Sequence, residues 1–196
     1  SSAAVYGDSD EQPLVEHKLP RPISAYGAQK ICNETSARGA ASAFKIPSVG
    51  FRIFNAYGPG QNPSSPCSGV VSLFSNKILE GNPITIYGDG NQTRDFVYVD
   101  DVISHLTAAM ESPPSGGEIY NLCTGHAVSI NKLTSLLFEI IGRSVKVVYD
   151  DRRAGDICHS VGSVAMAEAR FGLKRKTDLE LGLRATVEWM RGFGKS

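Results

Sequence analysis

Residues 24–54 read SAYGAQKICNETSARGAASAFKIPSVGFRIF, and this stretch decides the fold. Its first part, Ser24 to Phe44, is rich in Ala, Gln, Lys and Glu, which favours a helix with Ser24 as its N-cap. The β-branched and aromatic run Ser48–Phe54 predicts a buried strand. Because Ser1–Tyr6 (SSAAVY) also reads as a strand, the order strand–helix–strand predicts a parallel α/β sheet.

The rest of the chain continues this alternation. A loop rich in Pro, Gly, Ser and Asn is predicted over 55–68, and loops of this length in compact domains usually have a function. The patterns then predict strands at 84–87, 93–99, 118–122 and 145–149 and helices at about 70–80, 100–110, 130–141, 164–171 and 179–193. The predicted fold class is therefore α/β throughout.

Composition limits the classes of partner. The 196 residues include 20 basic and 20 acidic side chains, and 41% are hydrophobic, as in an ordinary globular protein. A zero net charge argues against nonspecific nucleic-acid or membrane-surface binding. No apolar run approaches the roughly 20 residues of a membrane span, and no secretory leader is recognisable. Small polar ligands are the expected partners.

The cysteines give no indication of a metal site. Cys32, Cys67, Cys123 and Cys158 are far apart and none belongs to a C-x-x-C pair, so neither zinc binding nor a redox motif is predicted. The four histidines are equally scattered. Reduced thiols in a cytoplasmic protein are the expected state.

Tyr26 and Lys30 form a Tyr-x-x-x-Lys pattern on the predicted helix. Residues four apart lie on the same helix face, so the ammonium can sit close to the phenol and favour the phenolate, a usable general base. Alone, the pattern fits better with an ordinary half-buried tyrosine beside a solvated lysine. Ser2 adds context, because a hydroxyl at the carboxyl end of a strand lies where open α/β sheets place ligands.

Six collinear segments carry a wider resemblance: SSAAVYG, SAYGAQK, FRIFNAYGPGQ, IYGDGNQTRDFVYVDDV, IYNLCTG and RRAGD. With Ser2, Tyr26 and Lys30 they resemble the extended branch of the short-chain dehydrogenase/reductase superfamily, the NAD-dependent nucleotide-sugar epimerases and dehydratases. The resemblance covers essentially the whole chain. It implies the C-terminal part of a doubly wound parallel Rossmann sheet, with a smaller α/β substrate-binding domain.

The resemblance also implies roles for individual residues. Ser2 would hydrogen-bond the reacting sugar oxygen, Tyr26 would be the acid/base, and Lys30 would tune Tyr26 and hold the nicotinamide ribose of NAD beside it. Arg94 and Arg153 would bind the diphosphate, for which a guanidinium fork is well suited. The other implied substrate contacts are Asn55 at the diphosphate, Val70, Tyr87 and Phe96 at the base and ribose, and Asp156 at the ribose.

Without the resemblance, the same arginines have simpler interpretations. Arg94 with Asp95 reads as a surface ion pair on a strand. Arg152 and Arg153, which follow two aspartates, read as part of a solvated charge cluster.

The family binds NAD mainly through a glycine-rich first βα turn. The pairs Gly58/Gly60 and Gly88/Gly90 lack a third glycine at the required spacing, so neither is a dinucleotide fingerprint. The resemblance therefore implies that roughly 100 residues of Rossmann fold precede Ser1 and that this chain alone neither holds NAD nor turns over a sugar. The implied domains are a remnant of the NAD-binding domain, 1–55 with about 93–122, and a nucleotide-sugar domain, 56–92 with 123–196.

The residues after Ser2 discriminate among the reactions of the family. Family dehydratases place Asp and Glu there as proton shuttles for elimination, whereas this chain has Ala3 and Ala4. Decarboxylating relatives keep an acidic residue there, and 3,5-epimerases need a cysteine that the segment before Tyr26 lacks. A UDP-hexose 4-epimerase acting through a transient 4-keto sugar is favoured. The alternatives are a keto-reductase, a 4,6-dehydratase and a non-catalytic nucleotide-sugar binding module.

Relatives of this kind usually pair as homodimers through the tyrosine-bearing helix. The small residues between Ser24 and Phe44 suit such close packing. We therefore expect a cytoplasmic homodimer of the full-length protein, with a nucleotide-diphosphate sugar as its ligand.

Overall fold

A computed structural model describes residues 1–65, 68–112, 116–153, 155–173 and 177–193, which leaves Cys67 outside the described residues. Its helices are a 3-10 helix at Ala3–Tyr6 and six α-helices, α1 (Ala25–Phe44), α2 (Val70–Glu80), α3 (Val99–Glu111), α4 (Ile130–Ile141), α5 (Ala165–Phe171) and α6 (Leu179–Phe193). The strands are β1 (Ser48–Ile53), β2 (Asn55–Tyr57), β3 (Ile84–Tyr87), β4 (Thr93–Arg94), β5 (Phe96–Tyr98), β6 (Gly117–Leu122), β7 (Val128–Ser129), β8 (Val147–Asp150) and β9 (His159–Ser160).

Helix α1 confirms the helix predicted from the opening stretch. The Ser24 side chain caps it by accepting a hydrogen bond from the Gly27 N–H at 3.1 Å. A Cβ at position 27 would lie 2.5 Å from the Ala4 carbonyl oxygen, so only glycine allows this close approach. The first turn of α1 therefore packs directly on the backbone of the preceding segment.

The predicted strand Ser1–Tyr6 is wrong over most of its length. Ser2 is extended and forms an isolated parallel bridge with Ile53, but Ala3–Tyr6 is a 3-10 helix. The Ser2 side chain stabilises the turn by accepting a hydrogen bond from the Ala4 N–H at 3.2 Å. The apolar residues of the segment are thus buried by a helical turn instead of a pleated strand.

Among the described residues, four strand pairs are parallel, as the α/β prediction requires: β1 with β6, β2 with β5, β3 with β8, and the short pair of β4 with β9. Strand β2 replaces the start of the predicted loop 55–68, because Asn55 pairs with Phe96 in register. The carboxyl end of β1 therefore continues almost directly into a second paired strand.

The predicted strand 93–99 is interrupted at Asp95. Strand β4 pairs antiparallel with β7 and parallel with β9, whereas β5 pairs with β2. Helix α3 begins at Val99, so Asp100 and Asp101 lie in its first turn and do not cap it.

Two clusters of buried apolar side chains form the core. One includes Phe51, Val102 and Leu122 and joins β1 and β6 to the 3-10 helix, α3 and α5. The other includes Ile78 and Leu133 and joins α2, α4 and α6 to β3. The assignment of residue ranges to two domains stays a prediction.

Across the described ranges, no helix combines the length and apolar character needed to cross a membrane. Those same residues include no group of three or more His, Cys, Asp or Glu side chains placed to hold a metal ion.

Candidate active site

The Tyr26 and Lys30 side chains meet on one face of α1. Nζ of Lys30 lies 5.1 Å from the centroid of the Tyr26 ring, so the ammonium is placed over the aromatic face. Tyr26 is 54% exposed, which leaves its phenol accessible to a ligand. The Tyr-x-x-x-Lys spacing thus places a cation beside an accessible phenol.

Ser2 lies beside the carboxyl end of β1, because its bridge partner Ile53 is the last residue of that strand. Its Oγ accepts the hydrogen bond from the Ala4 N–H, and a hydroxyl in that role keeps its own proton to donate. Gly27, which follows Tyr26, packs against the Ala4 carbonyl oxygen. Ser2 and Tyr26 are therefore carried by two segments in direct backbone contact.

A buried ion pair links these segments to the sheet. Arg52 on β1 donates from Nε at 2.9 Å and from Nη2 at 2.8 Å to the two carboxylate oxygens of Glu34 on α1. The Ser1 hydroxyl donates to the same carboxylate at 2.6 Å. The guanidinium carbon of Arg52 also lies 4.7 Å from the centroid of the Tyr6 ring. The Glu34–Arg52 pair thus connects α1, β1 and the segment around Ser2.

Burial is the largest single influence and would lower the pKa of Arg52 and raise that of Glu34, but their hydrogen bonds and opposite charges together outweigh it. The pKa of Arg52 is therefore raised and that of Glu34 is lowered. Sequence patterns do not indicate this pair, because an arginine within an apolar strand has no evident role until its partner is known. One sequence feature could have indicated Glu34: it follows Lys30 by four residues, as Lys30 follows Tyr26, so the three lie on successive turns along one side of the helix.

A cavity of about 350 Å³ lies between α2, β3 and the segment around Arg153. Six of the seven predicted substrate contacts line it: Asn55, Val70, Tyr87, Arg94, Arg153 and Asp156. Phe96 does not belong to the lining. Its side chain is buried in the second core cluster and meets Tyr57 edge to face, with 6.2 Å between ring centroids.

Arg94 is held in the cavity wall by three hydrogen bonds. Its guanidinium donates to the Asp156 carboxylate at 2.9 Å and to the carbonyl oxygens of Thr93 and Cys158. Burial lowers the pKa of Arg94, and the charge of Asp156 opposes that change. The interpretation of Arg94 and Asp95 as a surface pair is wrong, because Asp95 is fully buried and the ion pair of Arg94 is with Asp156.

Arg153 lines the same cavity. Its guanidinium carbon lies over the Tyr87 ring, 3.7 Å from the ring centroid, which is a close cation–π contact. Its neighbour Arg152 instead donates to the Asp156 carbonyl oxygen and to the Cys158 sulfur. The two adjacent arginines therefore have different surroundings, and Arg153 is the one that lines the cavity.

Comparison with known proteins places the chain in a family. Residues 1–123 match the model of the NAD dependent epimerase/dehydratase family, which is more than half of the chain. The chain belongs to this family.

Members of the NAD-dependent epimerase/dehydratase family align over the full chain. A putative UDP-glucose 4-epimerase of Methanocaldococcus jannaschii is 35% identical over 196 residues, which are 100% of this chain and 63% of the relative. The structure of the Thermotoga maritima UDP-glucose 4-epimerase with UDP-glucose matches with a TM-score of 0.94 and 35% identity, over 100% of this chain and 63% of that one.

A third relative is the UDP-glucuronic acid 4-epimerase of Bacillus cereus in complex with UDP-glucuronic acid and NAD. It matches with a TM-score of 0.91 and 31% identity, over 98% of this chain and 60% of that one. The chain thus spans less than two thirds of the length of these relatives. The expected family and fold class are both confirmed.

Proposed function

We propose that the whole protein is an NAD-dependent 4-epimerase of UDP-hexose-class sugars, acting through a transient 4-keto sugar. The observation that carries this proposal is the convergence of six separately predicted residues on one cavity. One of them, Asn55, lies two residues after Ile53, the last residue of β1. Ile53 is also the bridge partner of Ser2, so the cavity and the segment of Ser2 both adjoin the carboxyl end of β1.

Within the cavity, each group meets the part of a UDP-sugar that its chemistry suits. Arg94 and Arg153 offer two guanidinium groups to the diphosphate, and Asn55 adds an amide at the same end. Tyr87 and Val70 provide apolar surface for the base and ribose, and Asp156 accepts a hydrogen bond from a ribose hydroxyl. The nucleotide is thereby fixed while the sugar extends toward Tyr26.

The reacting sugar needs a proton acceptor, a hydrogen-bond donor and a nearby positive charge. The Tyr26 phenolate takes the proton of the sugar hydroxyl, Ser2 donates to the same oxygen, and the Lys30 ammonium stabilises the phenolate charge. Tyr26 returns the proton after the keto sugar has presented its other face. When bound, NAD would supply the hydride transfer, and Tyr26 and Lys30 would hold its ribose. The exposed Tyr26 with Lys30 beside it fits a cofactor ribose, because both offer polar groups at an accessible surface.

Elimination of water is less well supported. Ala3 and Ala4 follow the catalytic hydroxyl, and Ala3 is itself buried, so no carboxylate stands where a dehydratase needs its proton shuttle. A keto-reductase uses the same three groups and is the second candidate.

The epimerase proposal is tested in the whole protein by Tyr26→Phe. Removal of the acid/base should lower turnover about 10²- to 10⁴-fold, the usual contribution of such a group, while UDP affinity by calorimetry stays the same. The matched control is Tyr149→Phe, since Tyr149 is 56% exposed and Tyr26 is 54% exposed. Normal turnover in Tyr26→Phe would refute the proposal.

The same assay separates the two enzyme candidates. An epimerase interconverts two UDP-sugars with no net change in the absorbance of the reduced cofactor. A reductase consumes reduced cofactor in proportion to the keto-sugar supplied. Net consumption of reduced cofactor, matched by conversion of the keto-sugar into one reduced UDP-sugar, would assign the whole protein to the reductases.

We further propose that the whole protein is a cytoplasmic homodimer and that the 196-residue chain binds UDP without holding NAD. The free thiols of Cys32, Cys123 and Cys158 support a reducing compartment. The exposure of α1 supports pairing, because Gly27 and Glu34 are the buried residues among its twenty.

A further inference from the structure

Asp95 is a buried carboxylate that accepts four hydrogen bonds. It lies between β4 and β5, and its exposed fraction is 0%. Oδ1 accepts from the N–H and the hydroxyl of Thr124, both at 2.7 Å. Oδ2 accepts from the Gly125 N–H at 2.9 Å and the Gly162 N–H at 3.3 Å. One side chain thus joins three separate segments.

The backbone of Asp95 joins two residues of the cavity. Its carbonyl oxygen accepts a hydrogen bond from the Asn55 N–H at 2.9 Å. Arg94 precedes it directly in the chain. Asn55 and Arg94 both line the cavity, whereas Asp95 itself does not.

Asp95 also fixes the segment that carries the ion-pair partner of Arg94. Gly162 follows β9, and β9 pairs with β4 so that Arg94 lies opposite Ser160. Asp156 lies just before β9 and holds the guanidinium of Arg94 at 2.9 Å. The Asp95 carboxylate therefore connects the strand of Arg94 to Gly162, at the end of the segment that places Asp156 beside Arg94.

We propose that Asp95 is a positioning residue for diphosphate binding, because it holds Asn55, Arg94 and the segment of Asp156 in one arrangement. The proposal rests on the proposed function of the cavity as a nucleotide-sugar site. Asp95 does not touch the ligand, and its effect is transmitted through Arg94 and Asn55.

A neutral side chain of the same shape cannot replace the carboxylate. In Asp95→Asn, the oxygen can still accept from Thr124, but the amide N–H₂ faces the N–H groups of Gly125 and Gly162, which are then left without an acceptor. Burial raises the pKa of Asp95, and the four donated hydrogen bonds oppose that rise. The local backbone should shift to relieve the donor–donor contacts.

The test compares UDP and UMP binding to the 196-residue chain by calorimetry at one salt concentration. Asp95→Asn should lower UDP affinity more than UMP affinity, so that the ratio of the two falls about tenfold, on the scale of one charge-assisted hydrogen bond. The matched control is Asp101→Asn, because Asp101 is also buried and accepts from a backbone N–H, of Thr177, but does not line the cavity. Its ratio should stay unchanged.

If Asp95 had a merely structural role, Asp95→Asn would lower the melting temperature and leave the ratio of UDP affinity to UMP affinity unchanged. That result would overturn the proposal. If Asp95→Asn fails to fold, the variant Thr124→Val tests the proposal instead. It removes one hydroxyl donor to Asp95 and keeps the shape, and the ratio should then fall only about two- to threefold, because three of the four hydrogen bonds to the carboxylate remain. An unchanged ratio in Thr124→Val would again overturn the proposal.

Failure of the unaltered chain to bind UDP would refute the nucleotide-sugar function and not the positioning role. In that case, amide hydrogen exchange tests the positioning role of Asp95. Faster exchange of the Asn55 amide in Asp95→Asn, with no change in Asp101→Asn, supports positioning. An unchanged rate at Asn55 overturns it.

Discussion

Arg94 and Arg153 present two guanidinium groups to the same cavity, but the protein holds them differently. The Arg94 side chain is 14% exposed and is tied to Asp156 and to backbone carbonyls. Arg153 is exposed and rests on the Tyr87 ring. Stacking uses the flat face of a guanidinium and leaves its N–H groups, which lie in the plane, directed outward. The contact with the Tyr87 ring thus holds the Arg153 guanidinium at the cavity before any ligand arrives.

This contact makes Arg153→Lys a revealing substitution. Lysine keeps the charge but loses both the fork and the stacking, so UDP affinity should fall about tenfold, as for the loss of a charge-assisted hydrogen bond. Calorimetry on the 196-residue chain measures the change, with Arg152→Lys as the control. Arg152 is the adjacent arginine and does not line the cavity. Equal losses in the two variants would contradict a specific role for Arg153.

The residues that the sequence could indicate are those with a local pattern or a family motif. Spacing alone placed Lys30 beside Tyr26, and the family resemblance indicated the six residues that the fold brings to the cavity. The seventh, Phe96, is buried in the core, because alternate residues of a strand face opposite sides and its side faces the second cluster. The roles of Glu34 and Arg52 depend on a contact between helix and strand, which no local pattern records.

At the scale of elements, the Glu34–Arg52 pair fixes α1 against β1. Glu34 lies on the face of α1 that carries Tyr26 and Lys30, so the pair also sets the rotation of that face. Breaking a buried pair by removing one partner leaves an uncompensated charge, whereas replacing both partners by apolar residues is often tolerated. The two kinds of substitution should therefore differ strongly.

We expect Glu34→Gln to lower the free energy of unfolding at neutral pH by about 3–5 kcal/mol. The paired change of Glu34→Leu with Arg52→Met should lower it by much less. Urea denaturation measures both, and Glu180→Gln is the control, since Glu180 and Arg184 form an exposed pair that should contribute at most about 1 kcal/mol. A small effect of Glu34→Gln would show that the buried pair does not hold the helix.

The same pair should make stability depend on pH. The hydrogen bonds from Arg52 and Ser1 hold the pKa of Glu34 below its ordinary value. Its contribution is therefore complete above the pKa of an unfolded glutamate, about 4.3, and is lost as the pH falls below it. The difference in unfolding free energy between the unaltered chain and Glu34→Gln should shrink over that acid range, and a constant difference would contradict the assignment.

Long helices were predictable from the sequence, and very short strands were not. Helices α2, α4 and α6 begin and end where the pattern indicated, because each is long enough to show a period. The two-residue strands β7 and β9 show none. The segment Ala3–Tyr6 reads as a strand by composition, yet a side-chain hydrogen bond of Ser2 turns it into a 3-10 helix.

At the scale of the whole molecule, the outer face of α1 is the proposed dimer contact. Ala28, Cys32, Thr35 and Gly39 are exposed at helical spacing and are all small. Small side chains allow two helices to approach closely, and a charged side chain in such a contact would have to be buried without a partner. Gly39 has open space around it, so a longer side chain fits the single chain without strain.

We expect Gly39→Glu to convert the whole protein from dimer to monomer in sedimentation measurements. Gly192→Glu is the matched control, because Gly192 is also an exposed helical glycine with open space around it, but on α6. The control should remain dimeric. A dimeric Gly39→Glu, or a monomeric unaltered protein, would refute pairing through α1.

The contact between Gly27 and the Ala4 carbonyl oxygen acts as a spacer between the segment that carries Ser2 and the helix that carries Tyr26. Even one methyl group at position 27 would meet that oxygen at 2.5 Å and would force the two backbones apart. The approach of the two backbones is therefore limited by a main-chain contact at this point. In the evolution of new sugar specificities, change should accumulate around this spacer, in loops and pocket walls, while the spacer itself persists.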